Sequence, residues 1–224
     1  MNEDPRRAAR SAPLPIPLLR GVSHQIAAFV SLVAGTALVV AARTPRGRWA
    51  ALVYGASLFT LFSVSAVYHR RRTWSRRARR IVRRLDHSVI FLLIAGTYTP
   101  LAALVGGARG TALLAVAWTG AALGIMKVNL WTRAPKRVGI ALYVLLGWAA
   151  APAFPTLAAR LGAGPILLLL AGGLAYTVGA VVYATRRPNP YPRVFGYHEV
   201  FHALVVAAAA GHFLVAAAAV ESLG

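Results

Sequence analysis

Cysteine is absent from this chain of 224 residues, and acidic residues are scarce: Asp and Glu number 5, against 25 Lys and Arg. Without cysteine the chain can form no disulfide and offers no thiolate as a metal ligand or nucleophile. Charged residues make up only 13% of the chain and hydrophobic residues 58%, whereas about a quarter of the residues in a soluble domain are charged. An ordinary water-soluble domain is therefore excluded, and any metal site must use histidine, carboxylate or water.

Long apolar runs occupy most of the chain. There are seven, at about residues 24–42, 49–69, 85–105, 111–130, 138–157, 164–184 and 198–220. Each is long enough to cross about 30 Å of hydrocarbon as a helix. We therefore predict an all-α, integral membrane bundle of seven helices, with one domain at 24–220 between a basic tail at 1–23 and a short outer tail at 221–224. Pro100, Pro152 and Pro155 should bend or end the helices that contain them.

The basic residues are clustered between these runs, and their distribution predicts the orientation of the chain. If the runs alternate across the membrane, 20 Lys and Arg lie on the side of the N-terminus and 5 on the other side. By the positive-inside rule the N-terminus is cytoplasmic and the C-terminus is outside. The most basic segment, HRRRTWSRRARRIVRR at 69–84, would fix this topology and attract anionic lipid headgroups. Because the positive charge lies in short inter-helix segments, no nucleic-acid partner is expected.

A few ionisable residues lie within the apolar runs, where they are costly and usually functional. His69 ends the second run, Asp86 opens the third, and His198 and His202 open the seventh. With a cytoplasmic N-terminus, even-numbered helices end and odd-numbered helices begin at the cytoplasmic side. We therefore expect all four side chains at the same depth, and Glu199 with them.

The spacing of these histidines predicts a metal site. His198 and His202 lie one helical turn apart on one face and can bind a single ion. With His69 they make the set of three protein ligands that leaves a fourth position open, and imidazole favours zinc. We therefore expect Zn²⁺ at these residues. Ser65, one turn before His69, can present its hydroxyl beside it.

Asp86 has several possible roles beside this ion. It could be a fourth ligand, a carboxylate that holds an imidazole, or the group that orients and deprotonates a water molecule. A simpler alternative is that Asp86 caps its helix and pairs with Arg83 or Arg84. Thr97 returns to nearly the same helix face and could line the same cavity.

The other histidines have less specific interpretations. His24 begins the first run and His87 follows the aspartate, so both are expected to contact headgroups or to pack against neighbours. His212 lies about 21 Å deeper along a helix than His198. It cannot share the same ion.

The segment GYHEVFH matches H-E-x-x-H, the pattern of zinc metallopeptidases. The long metzincin form has glycine and histidine where this chain has Val205 and Ala208. Glu221, the only later acid, is about 28 Å from His202 along a straight helix. An intramembrane peptidase could take its third ligand from another helix, but the pattern does not favour a peptidase.

Three segments together resemble the hemolysin III family, within the progestin and adipoQ receptor (adiponectin receptor-like) superfamily. They are SAVYH at 65–69, RLDHSVIFLLIAGTYTP at 84–100 and YHEVFHALVVAAAAGHF at 197–213. The resemblance covers nearly the whole chain. It implies a multi-pass seven-helix bundle in the bacterial inner (plasma) membrane, with its N-terminus inside.

The resemblance also implies a function. Zinc would be bound near the cytoplasmic face by the three histidines, with Asp86 beside the zinc-bound water and Ser65 one turn before the first ligand. In eukaryotic relatives such a site is linked to ceramide hydrolysis. The preferred hypothesis is a zinc-dependent hydrolase of an amide or ester bond in a lipid that enters from the bilayer. Glu199 stands where such receptors can have glutamine, which makes it a secondary candidate.

Two alternatives come from other functional classes. The family is often described as pore-forming, so the chain could be a cytolysin or channel whose zinc is structural, although structural zinc sites prefer four protein ligands. A sensor or receptor without catalysis is the third possibility. The chain has no long N-terminal domain and no sizeable outer loop, so no protein ligand is expected to dock.

Overall fold

The fold is known from a computed structural model that describes residues 16–71 and 73–224. Its helices are α1 Val22–Ala41, α2 Pro45–Arg70, α3 Arg76–Val105, α4 Gly107–Leu130, α5 Lys136–Trp148, α6 Phe154–Leu161, α7 Ala163–Thr185 and α8 Tyr197–Glu221. A short 3-10 helix, Ala151–Ala153, joins α5 to α6, and these pieces together form the fifth membrane span. Within the described ranges the only β-type pairing is an isolated bridge between Tyr191 and Phe195.

Seven spans of this structure are long and apolar enough to cross a membrane, with mean hydropathies from 1.6 to 2.2. The all-α, seven-helix membrane bundle predicted from the sequence is therefore confirmed. Large apolar side chains on α1 face outward, as Val33 and Val40 do with 71% and 77% of their surface exposed. Such positions suit contact with lipid, where exposed apolar surface has no cost. The orientation of the bundle stays a prediction from charge.

The third helix starts earlier than the hydrophobic run suggested, at Arg76 rather than near residue 85. The Ser75 side chain accepts a hydrogen bond from the Ala78 N–H at 3.2 Å, which satisfies one of the free donors at the helix start. The arginines that follow are good helix formers. Asp86 therefore lies well inside α3, and the alternative in which it caps this helix is wrong.

The prolines of the fifth span interrupt it, as expected. Its first helix ends at Trp148, Pro152 lies in the 3-10 turn, and Pro155 is in the first turn of α6. The apolar run predicted at 138–157 is therefore a single membrane span built from two helices and a 3-10 turn. Pro100, by contrast, lies inside α3 and does not end it.

The break in the fifth span is stabilised by a tyrosine from α3. The Tyr98 hydroxyl lies 2.7 Å from the Leu146 carbonyl oxygen and 2.6 Å from that of Gly147, so it can donate to either. It also accepts a hydrogen bond from the Ala150 N–H at 3.0 Å. Backbone groups freed by the break thus find a partner inside the bundle, as the apolar surroundings require.

The most buried spans are the ones that carry the polar residues. The buried share of the apolar 18-residue stretch is 72% in α3, 56% in α2 and 39% in α8. The first helix packs closely on the second, since a Cβ atom added to Gly35 would lie only 3.1 Å from the Cα of Gly55. This close approach brings the start of α1 beside the end of α2, where His24 meets Ser65.

Candidate metal centre

The first turn of α8 is anchored by Glu199. The Gly196 N–H donates to Glu199 Oε2 at 2.9 Å, as in the carboxylate half of a capping box. Arg20 Nε donates to Glu199 Oε1 at 2.5 Å, and the glutamate is only 3% exposed. Both carboxylate oxygens are therefore engaged in holding the helix start. His198 and His202 follow on the turn that this arrangement fixes.

Three imidazoles converge at one end of the bundle. His69 Nε2 and His198 Nε2 are 3.2 Å apart, although the residues are 129 positions apart in the chain. The ring of His202 lies 5.0 Å from that of His69 and 4.4 Å from that of His198, measured between centroids. One potential ligand atom from each residue lies within 4.8 Å of the others. The three histidines expected from the sequence are thus neighbours in space and could hold a metal ion.

One nitrogen separation in this cluster is that expected for two ligands of a single tetrahedral metal ion. Two nitrogens that each lie about 2.1 Å from a tetrahedral ion are about 3.4 Å from each other, close to the separation of the His69 and His198 Nε2 atoms. His202 Nδ1 is buried and has no hydrogen-bond partner within the described part of the chain. Buried polar atoms are rarely left unpaired, and a bound ion is one explanation for such an atom.

Asp86 lies beside the cluster rather than within it. Its Oδ2 atom is 3.9 Å from His69 Nε2 and 3.7 Å from His87 Nδ1. The ring nitrogen of His87 donates to the Arg83 carbonyl oxygen at 2.7 Å. In the described chain Asp86 forms no ion pair with Arg83 or Arg84. The simpler alternative, in which Asp86 caps its helix and pairs with one of these arginines, is therefore wrong on both points. The carboxylate faces histidines on two helices.

Ser65 is held by His24, a fourth histidine that the sequence did not place at the centre. Ser65 Oγ lies 2.9 Å from His24 Nδ1, and both residues are buried. The His24 ring stacks on that of His202, with centroids 3.7 Å apart and planes 5° apart. Of the two roles expected for His24, packing is confirmed, whereas headgroup contact is wrong because only 3% of the residue is exposed.

Thr97 and His212 line the cavity that leads away from the histidines. This cavity, here called the histidine cavity, has a volume of about 170 Å³ and is lined largely by apolar side chains of α2, α3, α5, α7 and α8. Thr97 is buried, and its hydroxyl donates to the Leu93 carbonyl oxygen at 2.8 Å. His212 lies farther along α8, where Nε2 donates to the Leu169 carbonyl oxygen at 3.1 Å. His212 is therefore not part of the metal centre.

These observations define a class: a multi-pass membrane protein of seven helices with a candidate metal centre near one end of the bundle. The chain belongs to the haemolysin-III-related family, whose model matches residues 14–213. The localisation expected from the sequence, the bacterial inner membrane, agrees with this membership and with the seven apolar spans.

Named relatives come from bacteria and eukaryotes. The chain is 32% identical to hemolysin-3 of Bacillus cereus over 200 residues, and this aligned region covers 88% of each chain. It is 28% identical over 202 residues to a hemolysin-3 homolog of Bacillus subtilis, covering 88% of this chain and 90% of the relative. It is also 29% identical over 183 residues to the heptahelical transmembrane protein ADIPOR2 of Oryza sativa subsp. japonica, covering 75% and 80%. The resemblance to the wider adiponectin receptor-like group is therefore confirmed at modest identity.

Proposed function

We propose that the chain is a zinc-dependent hydrolase that cleaves an amide or ester bond of a membrane lipid. One observation carries this proposal: three imidazoles and a carboxylate meet at one end of an apolar cavity inside a membrane bundle. The similarity to an adiponectin receptor-like protein supports it.

The histidine cavity favours a lipid over a peptide as substrate. Away from the metal centre its walls come from apolar side chains such as Leu61, Leu93 and Val205. Such a lining offers few partners for the backbone N–H and C=O groups of a peptide, which would be costly to bury unpaired. An acyl chain has no such groups. A lipid drawn from the bilayer could thus place its chain in the cavity and its carbonyl at the histidines.

The side chains at the centre provide the parts of a hydrolytic reaction. When bound, zinc would polarise the substrate carbonyl and lower the pKa of a water molecule toward about 7. Asp86, whose Oδ2 atom is 3.9 Å from His69 Nε2, would accept a proton as general base. If His24 Nδ1 donates to Ser65 Oγ, the Ser65 hydroxyl could donate its proton to the neighbouring Asp86 carboxylate, to the substrate or to water.

The test uses purified protein reconstituted in vesicles of defined lipid, with fatty-acid release and zinc content measured on the same sample. Asp86→Asn should lower release by about a hundredfold or more, as expected for loss of a general base, while zinc content stays near that of the wild type. Glu221→Gln is the matched control, because it removes an acid at the opposite end of α8. Release that is unchanged in Asp86→Asn would contradict the proposal.

The same vesicles, assayed for ion leakage as well as fatty-acid release, distinguish the hydrolase from the alternative functions. Ion leakage without fatty-acid release, equal in the wild type and Asp86→Asn, would favour a channel or cytolysin with a structural zinc, the activity that the name hemolysin-3 suggests for relatives. Bound zinc with neither release nor leakage would favour a sensor or receptor. In the proposed function the partners are the bilayer lipid and anionic headgroups at the basic segments, without nucleic acid or a protein ligand.

A further inference from the structure

A second recess, of about 440 Å³, adjoins the histidine cavity at the same end of the bundle. Arg137, in the first turn of α5, and Arg186, which follows α7, both line it. We call it the arginine recess. Ile140 and Tyr183 line both the recess and the histidine cavity. The two spaces are therefore neighbours with a common wall.

Two tyrosines place the recess close to the metal centre. The rings of Tyr183 and Tyr197, which both line the recess, lie 5.8 Å and 6.1 Å from the ring of His198 between centroids. A group bound in the recess would thus be about one aromatic ring away from a candidate metal ligand. That is the separation expected between the headgroup of a lipid and a bond near its glycerol or amide region.

In the part of the chain that the structure describes, two arginines and no acidic residue line the recess, so no carboxylate in its wall compensates their charge. Within the described residues neither Arg137 nor Arg186 forms an ion pair, and Glu199, an acid of the same end of the bundle, is bound by Arg20. Arginine presents a planar fork of N–H donors that matches the oxygens of a phosphate group. The charge and the donor geometry both favour a phosphate ligand.

The backbone at Arg186 gives an independent observation. Arg186 has φ 58 and ψ 33, and it is the only residue other than glycine with a positive φ in the described chain. Helices commonly end with glycine in this conformation, because side chains are disfavoured there. A non-glycine residue in such a conformation points to a local role for its side chain. The position of Arg186 in the lining of the recess is consistent with such a role.

We propose that the arginine recess binds the phosphate group of a lipid headgroup and thereby selects a phosphate-bearing lipid as the substrate of the metal centre. This inference rests on the proposed hydrolase function. It adds a recognition site, made by Arg137 and Arg186, that is separate from the groups that carry out the reaction. A free phosphate ion has the same oxygens, so the test compares the two sources.

Binding is measured by isothermal titration of the full chain in phosphate-free detergent, with dihexanoyl phosphatidic acid, dihexanoylglycerol and inorganic phosphate as probes. The phosphatidic acid should bind about tenfold or more tightly than either other probe. The double variant Arg137→Gln/Arg186→Gln should weaken its binding by about tenfold or more, as loss of two charge-assisted contacts predicts. The matched double variant Arg133→Gln/Arg187→Gln removes the same charge from nearby exposed positions outside the recess. It should change binding by less than about twofold.

Equal weakening in the two double variants would overturn the inference, because general surface charge would then explain the binding. Inorganic phosphate that binds as tightly as phosphatidic acid would overturn it as well, since the recess would be a site for a free ion. Because the titration needs no turnover, it can detect binding of phosphatidic acid even if hydrolysis is never detected. Conversely, hydrolysis of neutral and phosphate-bearing lipids at equal rates, unaffected by Arg137→Gln/Arg186→Gln, would leave the proposed function intact and reject only the recess.

Discussion

At the scale of single residues, the stacked pair of His24 and His202 has a clear mechanical consequence. Parallel rings 3.7 Å apart restrict rotation of the His202 imidazole, and the hydrogen bond between Ser65 and His24 restricts rotation of the His24 ring. Groups that orient a metal ligand typically change metal affinity by 10–100-fold when they are removed. If these histidines bind an ion, His24 would act on it through His202 as a positioning residue.

Truncation of this ring should therefore weaken metal binding. We expect His24→Ala to lower zinc affinity by about tenfold, because the His202 ring gains freedom when its stacking partner is lost. Competition with a chromophoric zinc chelator measures this change. His24→Phe keeps an aromatic ring against His202 but loses the bond to Ser65, so its affinity should lie between those of the wild type and His24→Ala. Wild-type affinity in His24→Ala would show that the stack has no orienting role.

The H-E-x-x-H pattern is also explained at this scale. A glutamate three residues after the N-cap of a helix is a common capping residue, and Glu199 fills this position with both oxygens engaged. The pattern therefore combines a helix cap with two candidate ligands spaced by one turn. The structure gives no support to a peptidase in which Glu199 acts as the base.

At the scale of helices, the interrupted fifth span depends on α3. The Tyr98 hydroxyl bonds backbone groups on both sides of the break, and Gly147 and Trp148 beside the break line the histidine cavity. The shape of the cavity wall is thus coupled to one hydroxyl from another helix. Loss of that hydroxyl would leave the buried Ala150 N–H without this partner.

Tyr98→Phe should consequently lower the free energy of unfolding by about 1–3 kcal/mol, the cost of leaving buried polar groups unpaired. Thermal unfolding in detergent, with hydrogen exchange across the break, measures the effect. Tyr54→Phe is the matched control, because the Tyr54 hydroxyl is buried without a hydrogen-bond partner in the described structure. This control should be neutral or stabilising. Equal loss of stability in both variants would contradict the role given to Tyr98.

Helix positions explain how much of the centre could be predicted from the sequence. Charge clusters gave the direction of each helix, and direction alone placed His69, Asp86, His198 and His202 at one depth. The same rule applies to His24, which also begins an odd-numbered helix, but only headgroup contact or packing was expected for it. Its role depends on the close packing of α1 on α2, which spacing along one helix does not reveal.

Helix boundaries were predictable only where hydropathy changes. A hydropathy window cannot detect the polar first turns of α3, which depend on helix propensity and on the Ser75 cap. Pro152 and Pro155 signalled a break in the fifth span. The tyrosine that stabilises this break lies about fifty positions earlier in the chain, with a separation of 52 between Tyr98 and Ala150. Such a long-range contact has no local signature.

At the scale of the whole molecule, the uneven distribution of basic residues predicts a cytoplasmic N-terminus. Since the chain has no cysteine, single introduced cysteines can test this without background. Ser222→Cys should react with a membrane-impermeant maleimide in intact cells. Thr132→Cys, in the segment between α4 and α5, should react only after the cells are opened. The opposite labelling pattern would reverse the orientation and place the metal centre near the outer face.

The central claim also concerns the whole molecule, because it joins spans that are far apart in the chain. If His69 from α2 and the histidine pair of α8 bind one ion, the purified wild type should contain about one zinc per chain and His69→Ala less than about a tenth of that. His212→Ala, which alters a histidine outside the cluster, should keep the wild-type content. The direct measurement is the zinc content of these three proteins by mass spectrometry, with helix content checked by circular dichroism. Equal zinc in wild type and a folded His69→Ala would contradict the account.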